Sequence, residues 1–161
     1  MRSLLLISLL LISAEAPVDR LAAAMDAYAR HHDRAAAHGF ELLAMEDGAV
    51  AETMLGVMYA NGRIGRPDPA AAASYWLRAA QRGYPPAQLA LARAFGDGRG
   101  VRRDPAMGYE WALVAARQGD GDARSAALAL ARALKTRIGA VEAERREHRA
   151  AQWQPVVMRT G

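Results

Sequence analysis

The chain contains no cysteine. Disulfides, thiolate zinc sites, a cysteine nucleophile and a lipidated cysteine anchor are therefore excluded. Lysine is almost absent too: of 21 basic residues only Lys135 is one, and the rest are arginine. Aromatic residues make up 6%. No long segment alternates valine, isoleucine, threonine and aromatics with period two, so no sheet is expected. Catalytic signatures are missing as well. No serine sits in a nucleophile elbow, no S-x-x-K occurs, and no glycine-rich phosphate loop joins a strand to a helix.

What the chain has is alanine, 38 residues in 161. Alanine loses no side-chain entropy on entering a helix. Runs such as Ala70 to Ala73 favour helix over strand. Hydrophobic residues reach 52%, enough to bury the core of one domain. The net charge is +4 and the pI about 9.9. A nucleic-acid binder gathers its basic residues on one face or in a tail. Here they are spread along the chain among 17 acids, which describes a solvated helical surface and no nucleic-acid partner.

Residues 1–16 read as an export signal. Arg2 gives a positive start, Leu4 to Ile12 is apolar apart from Ser8, and Ala14-Glu15-Ala16 fits the small-x-small cleavage pattern. Nine residues fall far short of the ~20 that a spanning helix needs. Pro17, directly after that cut, is poorly accepted by signal peptidases. It shifts cleavage to Ala14 or slows it, and an uncleaved segment is the one expected membrane contact. The expected location is the periplasm or the outside of a Gram-negative bacterium.

A 36-residue step organises the middle of the chain. Asp68-Pro69 recurs as Asp104-Pro105, Gly62 as Gly98, Ala79-Ala80 as Ala115-Ala116 and Gly83 as Gly119. Ala51, Ala87 and Ala123 keep the step through three units, and Tyr75 and Trp111 share one position. Each unit reads as two antiparallel helices. In the first, they cover about Val50 to Asn61 and Ala70 to Arg82. Gly62 ends the former with positive φ. Asp68 caps the latter, and Pro69 follows where its missing N–H does no harm. In the second unit, helices run from Pro86 to Phe95 and from Pro105 through Gln118. Ala51, Gly56, Ala79 and Ala80, with Ala87, Ala92, Ala115 and Ala116, keep bulk low so that helices approach closely. A large side chain at Ala80 or Ala116 is expected to overpack the array. One such pair cannot bury its apolar side alone, so pairs must stack.

The pattern Ala51-x-x-x-Leu55-Gly56-Val57-Met58-Tyr59-Ala60-Asn61-Gly62, then Asp68-Pro69, then Tyr75-Trp76-Leu77-Arg78-Ala79-Ala80-x-x-Gly83, resembles a Sel1-like repeat (SLR). In the second unit Ala92 replaces the usual glycine and Phe95 the usual tyrosine, while Gly98-Arg99-Gly100-Val101 keeps the family's G-x-G-V. The resemblance covers roughly residues 48–123. It implies an all-α, right-handed α-solenoid of antiparallel helix pairs, related to tetratricopeptide repeats. The expected organisation is a signal peptide at 1–16, a degenerate helix pair at 17–47, two repeats at 48–118, a partial third repeat with a closing helix at 119–155, and a tail at 156–161. In that scheme Arg137 to Trp153 form the polar closing helix, with Thr136 as its cap.

The resemblance implies a non-enzymatic protein–protein interaction module, a scaffold or regulator of the cell envelope. Its concave surface is lined by the first helix of each pair. The tetratricopeptide geometry puts Thr53, Val57, Ala60 and Asn61 there, then Leu89, Arg93, Gly96 and Asp97, then Ser125, Ala129, Arg132 and Ala133. Val57, Asn61, Arg93, Asp97 and Arg132 are the candidate partner-binding residues. No catalytic, cofactor or metal residue is assigned. His31, His32, Asp33 and His38 lack metal-site spacing, and Asp33 reads as a helix cap. Arg99, Arg102 and Arg103 form a charged turn beside Asp104, which could pair with one of them. Two alternatives stay open: binding of cell-wall glycan or another anionic polymer, and, more remotely, a small hydrolase.

Overall fold

A computed structural model describes residues 17–46 and 48–156. The proposed signal segment and the last five residues lie outside them. The described residues form eight helices and no strand: α1 (Pro17–Ala29), α2 (Asp33–Met45), α3 (Ala49–Ala60), α4 (Pro69–Gln81), α5 (Pro85–Asp97), α6 (Pro105–Gln118), α7 (Gly121–Lys135) and α8 (Ala140–Gln152). None is long and apolar enough to cross a membrane. The first six make three antiparallel pairs, stacked in chain order. The core is a row of local clusters, as expected where each unit touches only its neighbours. One gathers Ala36, Phe40, Leu55 and Met58 beneath α1 to α3. The next joins Ala79, Ala80, Ala87 and Leu91 between α4 and α5. The last joins Ala92, Tyr109, Ala112, Leu134 and Ala143 from α5 to α8.

The 36-residue step is repeated bond for bond in the turns. Gly62 and Gly98 take φ of 67° and 76°. The Arg63 amide donates to Met58 O at 2.9 Å, and the Arg99 amide to Ala94 O at 3.0 Å. Asp68 N donates to Tyr59 O at 2.9 Å, and Asp104 N to Phe95 O at 2.8 Å. Each aspartate then caps its helix. Asp68 accepts from the amides of Ala70 and Ala71, and Asp104 from that of Met107. Both carboxylates occupy orphan donors of the first turn, so Asp104 is a cap and pairs with no arginine among the described residues. Gly100, in the second turn, lies against the backbone of Pro69 and Ala70, where a Cβ would collide. The first unit puts Ile64 at that place and packs it into the α1–α3 cluster.

Two units of one pattern also show a matched exchange of bulk. Gly56 lies against the indole of Trp76, and a Cβ there would collide with the ring's Nε1 and Cδ1. The Trp76 Nε1–H donates to Thr53 O at 3.3 Å. One step later the positions of Gly56 and Trp76 are held by Ala92 and Ala112, both fully buried in one cluster. The usual glycine is dispensable in the second unit because the large ring is gone.

The third unit departs from the pattern. Gly83 leaves α4 with φ of 88°, whereas Gly119 leaves α6 in extended geometry. Helix α8 docks on α6. Glu147 accepts from Tyr109 Oη at 2.6 Å, and Glu110 from Arg146 at 2.9 Å and Arg149 at 3.2 Å. Ala143 and Ala150 are its buried residues. An apolar opening of about 490 Å³ remains between α7 and α8, bordered by Leu113, Ala116 and Leu128. Thr136 does not cap α8. It is the C-cap residue of α7, and Gly139 precedes α8. The chain then doubles back. Trp153 sits edge-on to Trp111 with centroids 5.8 Å apart, Pro155 lies beside Gly83, and Val156 N donates to Gln81 O at 2.8 Å.

Candidate functional site: a groove between neighbouring first helices

The first helices of the two units, α3 and α5, lie side by side. Between them, and bounded by the start of α4, runs a groove of about 320 Å³. Val57, Ala60 and Asn61 line it from α3, and Ala90, Arg93, Ala94 and Asp97 from α5. Pro69 and Trp76 close it from α4, and Arg99 reaches it from the turn. The repeat explains the walls: Val57 and Arg93 are one step apart, as are Asn61 and Asp97. Position and periodicity thus bring four of the five expected partner-binding residues to one place. Arg132 is the exception. It is exposed on α7 and does not line the groove.

The groove has an apolar floor of Val57, Ala90 and the Trp76 ring, and a polar rim. Asn61, Arg93, Asp97 and Arg99 are all exposed, and none makes a side-chain hydrogen bond or ion pair among the described residues. Two guanidinium groups face one carboxylate, so the rim is net positive. Nothing here resembles a catalytic arrangement. The rim offers an amide, a carboxylate and two fixed cations above a surface on which apolar side chains can lie.

Other expected concave residues are used for folding. Thr53 is buried and donates to Ala49 O at 2.7 Å. Gly96 faces Leu134, and Leu89 packs against the cluster of Ala115, Ala116 and Ala127. Ser125 is exposed and donates to Gly121 O. Pro69 and Trp76 were missed because a first-helix rule does not look at the neighbouring second helix, and Ala90 and Ala94 because they stand on α5 outside the positions that rule selects. Arg99 appeared only as part of a charged turn. In that turn Arg103 donates to Gly96 O at 3.3 Å, holding the loop on its own helix end.

The histidine-rich connection between α1 and α2 has a different role. Asp33 is the first residue of α2, after His32, and makes no cap bond. It pairs instead with Arg63 from the first repeat's turn. His31 takes a φ of 60°, with Nδ1 3.2 Å from Arg63 Nη2. His32 and His38 are exposed.

A stacked array of antiparallel helix pairs with a groove along its first helices defines an α-solenoid. The Sel1 repeat pattern matches residues 49–84 and 85–120, so the chain carries two Sel1 repeats. Its fold is similar to a protective antigen of uropathogenic Escherichia coli strains displaying an SLR fold, with a TM-score of 0.75 at 17% identity over 91% of this chain. This chain spans only 35% of that antigen's length. A Sel1 repeat protein from Oxalobacter formigenes is also similar, with a TM-score of 0.60 at 28% identity, covering 70% of this chain and 88% of that one. No curated protein matches in sequence. Sel1 repeat proteins are generally protein–protein interaction modules and typically non-catalytic scaffolds.

Proposed function

We propose that this chain is a protein–protein interaction module of the bacterial cell envelope, and that the α3–α5 groove holds an extended segment of its partner. The observation that carries this reading is the rim. Asn61, Arg93, Asp97 and Arg99 surround an apolar floor, and no side chain among the described residues satisfies them. Polar groups so placed are free to bond a second chain, and the floor offers area to exclude water behind them. The export pattern of residues 1–16 supports the envelope as its location.

Site-specific photocrosslinking in cells tests it. A crosslinking residue replacing Asp97 sits in the groove, and one replacing Ser74 sits on the exposed side of α4. Mass spectrometry of the captured material from an exported chain should return one dominant envelope protein from the first position and not from the second. Equal capture from both would discard the groove. Capture of no protein, with retention on cell-wall polymer that added salt abolishes, would put anionic-polymer binding in its place.

A further inference from the structure

We infer that the segment accepted by this groove presents an acidic side chain to Arg99 with an aromatic ring close by, because the first repeat already contains a filled version of that recognition. The inference rests on the groove reading above and specifies its ligand. Arg63 and Arg99 hold the same place, 36 residues apart, each following a left-handed glycine and each donating its amide to the carbonyl five residues back. Their backbones are equivalent, so the difference between them lies in what each side chain finds.

Arg63 finds a complete set of partners in the preceding helix pair. Its guanidinium lies 3.9 Å from the centroid of the Tyr28 ring. Nη2 donates to Tyr28 O at 2.9 Å, and the same group pairs with the Asp33 carboxylate. A planar cation stacked on a ring and bonded to a carboxylate uses both properties that separate arginine from lysine. The Arg63 side chain is only 16% exposed as a result.

Arg99 finds none of these. The acid at the start of the preceding second helix is Asp68, and its carboxylate is taken by the amides of Ala70 and Ala71. Among the described residues no aromatic ring lies over Arg99, which is exposed and opens onto the groove. The second turn therefore carries the arginine without its carboxylate and without its ring. A ligand supplying both would complete it. The carboxylate would bond Arg99, with Arg93 as the second cation on the same rim. The ring would lie on the guanidinium or on the floor of Trp76, Val57 and Ala90. Asp97, also on the rim, is the one local carboxylate and makes no ion pair, so it opposes a second acid in the ligand.

The test uses the full chain and a set of short peptides, N-acetylated and C-amidated so that only side chains carry charge. Each holds one tyrosine, with aspartate, asparagine or lysine at each spacing from it. Binding is read by fluorescence polarisation, and the site by shifts of the Val57 and Ala90 amide signals. At the best spacing, changing the peptide's aspartate to asparagine should weaken binding on the order of tenfold, the size of one charge-assisted hydrogen bond. The variant Arg99→Gln should lose that difference, and Arg99→Glu should favour the lysine peptide. Arg99 has no side-chain partner to lose among the described residues, and far-UV circular dichroism checks that both variants stay folded. Peptides that shift Val57 and Ala90 without preferring aspartate would overturn the inference while leaving the groove reading intact. A preference that survives Arg99→Gln would also overturn it. If no peptide shifts those signals, both readings fail.

Discussion

Glu52 and Arg82 bridge α3 and the end of α4, and 36 residues later the same two positions are bridged again by Gln88 and Gln118. In the first repeat the bond is ionic. Glu52 is completely buried, paired with Arg82 and, at 2.6 Å, with Arg78. In the second it is neutral: Gln88 Nε2 donates to Gln118 Oε1 at 3.3 Å and to Ala80 O at 3.1 Å. One site in the fold thus accepts either chemistry, provided both partners change together.

That exchange gives a double-substitution test. Arg82→Ala leaves a buried carboxylate with only the half-exposed Arg78, and should cost roughly 3 kcal/mol, the low end for breaking a buried pair. Glu52→Gln combined with Arg82→Gln installs the second repeat's bridge in the first and should recover most of that loss. Urea unfolding midpoints, with the slope held constant, measure both. A double variant as unstable as Arg82→Ala would show that the two repeats are not interchangeable here.

The contact of Gly56 with Trp76 predicts strong coupling. Gly56→Ala alone forces a methyl into the indole and should cost about 1–3 kcal/mol. Added to Trp76→Ala, which removes the ring and reproduces the Ala92–Ala112 arrangement, it should cost far less. Adding the two single costs should therefore overestimate the double variant's loss, as expected for residues in contact.

Two equivalent alanines should respond differently. Ala80 is fully buried, so Ala80→Leu should overpack the interface between α4 and α5 and cost about 1–3 kcal/mol or more. Ala116 occupies the same place one step later but borders the opening between α7 and α8. Leucine there has room, and thermal unfolding should show a clearly smaller loss. Such a result would separate two positions that the repeat alone treats alike.

Acid should loosen the closing helix. The hydrogen bond from Lys135, then that from Tyr109, holds the Glu147 carboxyl below its usual range, and Arg146 does the same for Glu142. A depressed folded value stabilises the fold at pH above the ordinary glutamate range. That contribution is lost as pH falls through the depressed values. At the alkaline end the sign reverses for Tyr109, whose hydroxyl is pushed up by burial and by Glu147. Its contribution is present below the ordinary tyrosine range and fades as pH rises through the raised value. Near-ultraviolet circular dichroism of Trp111 and Trp153 should follow the acid change, and Glu147→Gln should shallow it.

Much of this fold was legible because periodicity and caps are local. The spacing of Gly62, Asp68 and Pro69, and of their counterparts, locates four helices to within a residue or two. The same step also links Glu52 to Gln88, Arg82 to Gln118 and Arg63 to Arg99, so those relations were present in the sequence. What no spacing conveys is which positions face each other across a pair, or that Arg63 reaches back to Tyr28 and Asp33. The groove was legible to the extent that the first helices line it. Arg132 fell outside it because it stands on α7, which is not a wall of the groove between α3 and α5.

The return of the chain from α8 to α4 alters what a probe placed just after α8 reports. Val156 is fastened to Gln81 and Pro155 rests beside Gly83, so any sequence continuing from there begins next to the first repeat, not at the far edge of the stack. A fluorophore attached at Pro155 or Val156 would sense the middle of the molecule. Pulling on it would peel the strap and α8 away before any force reached α7.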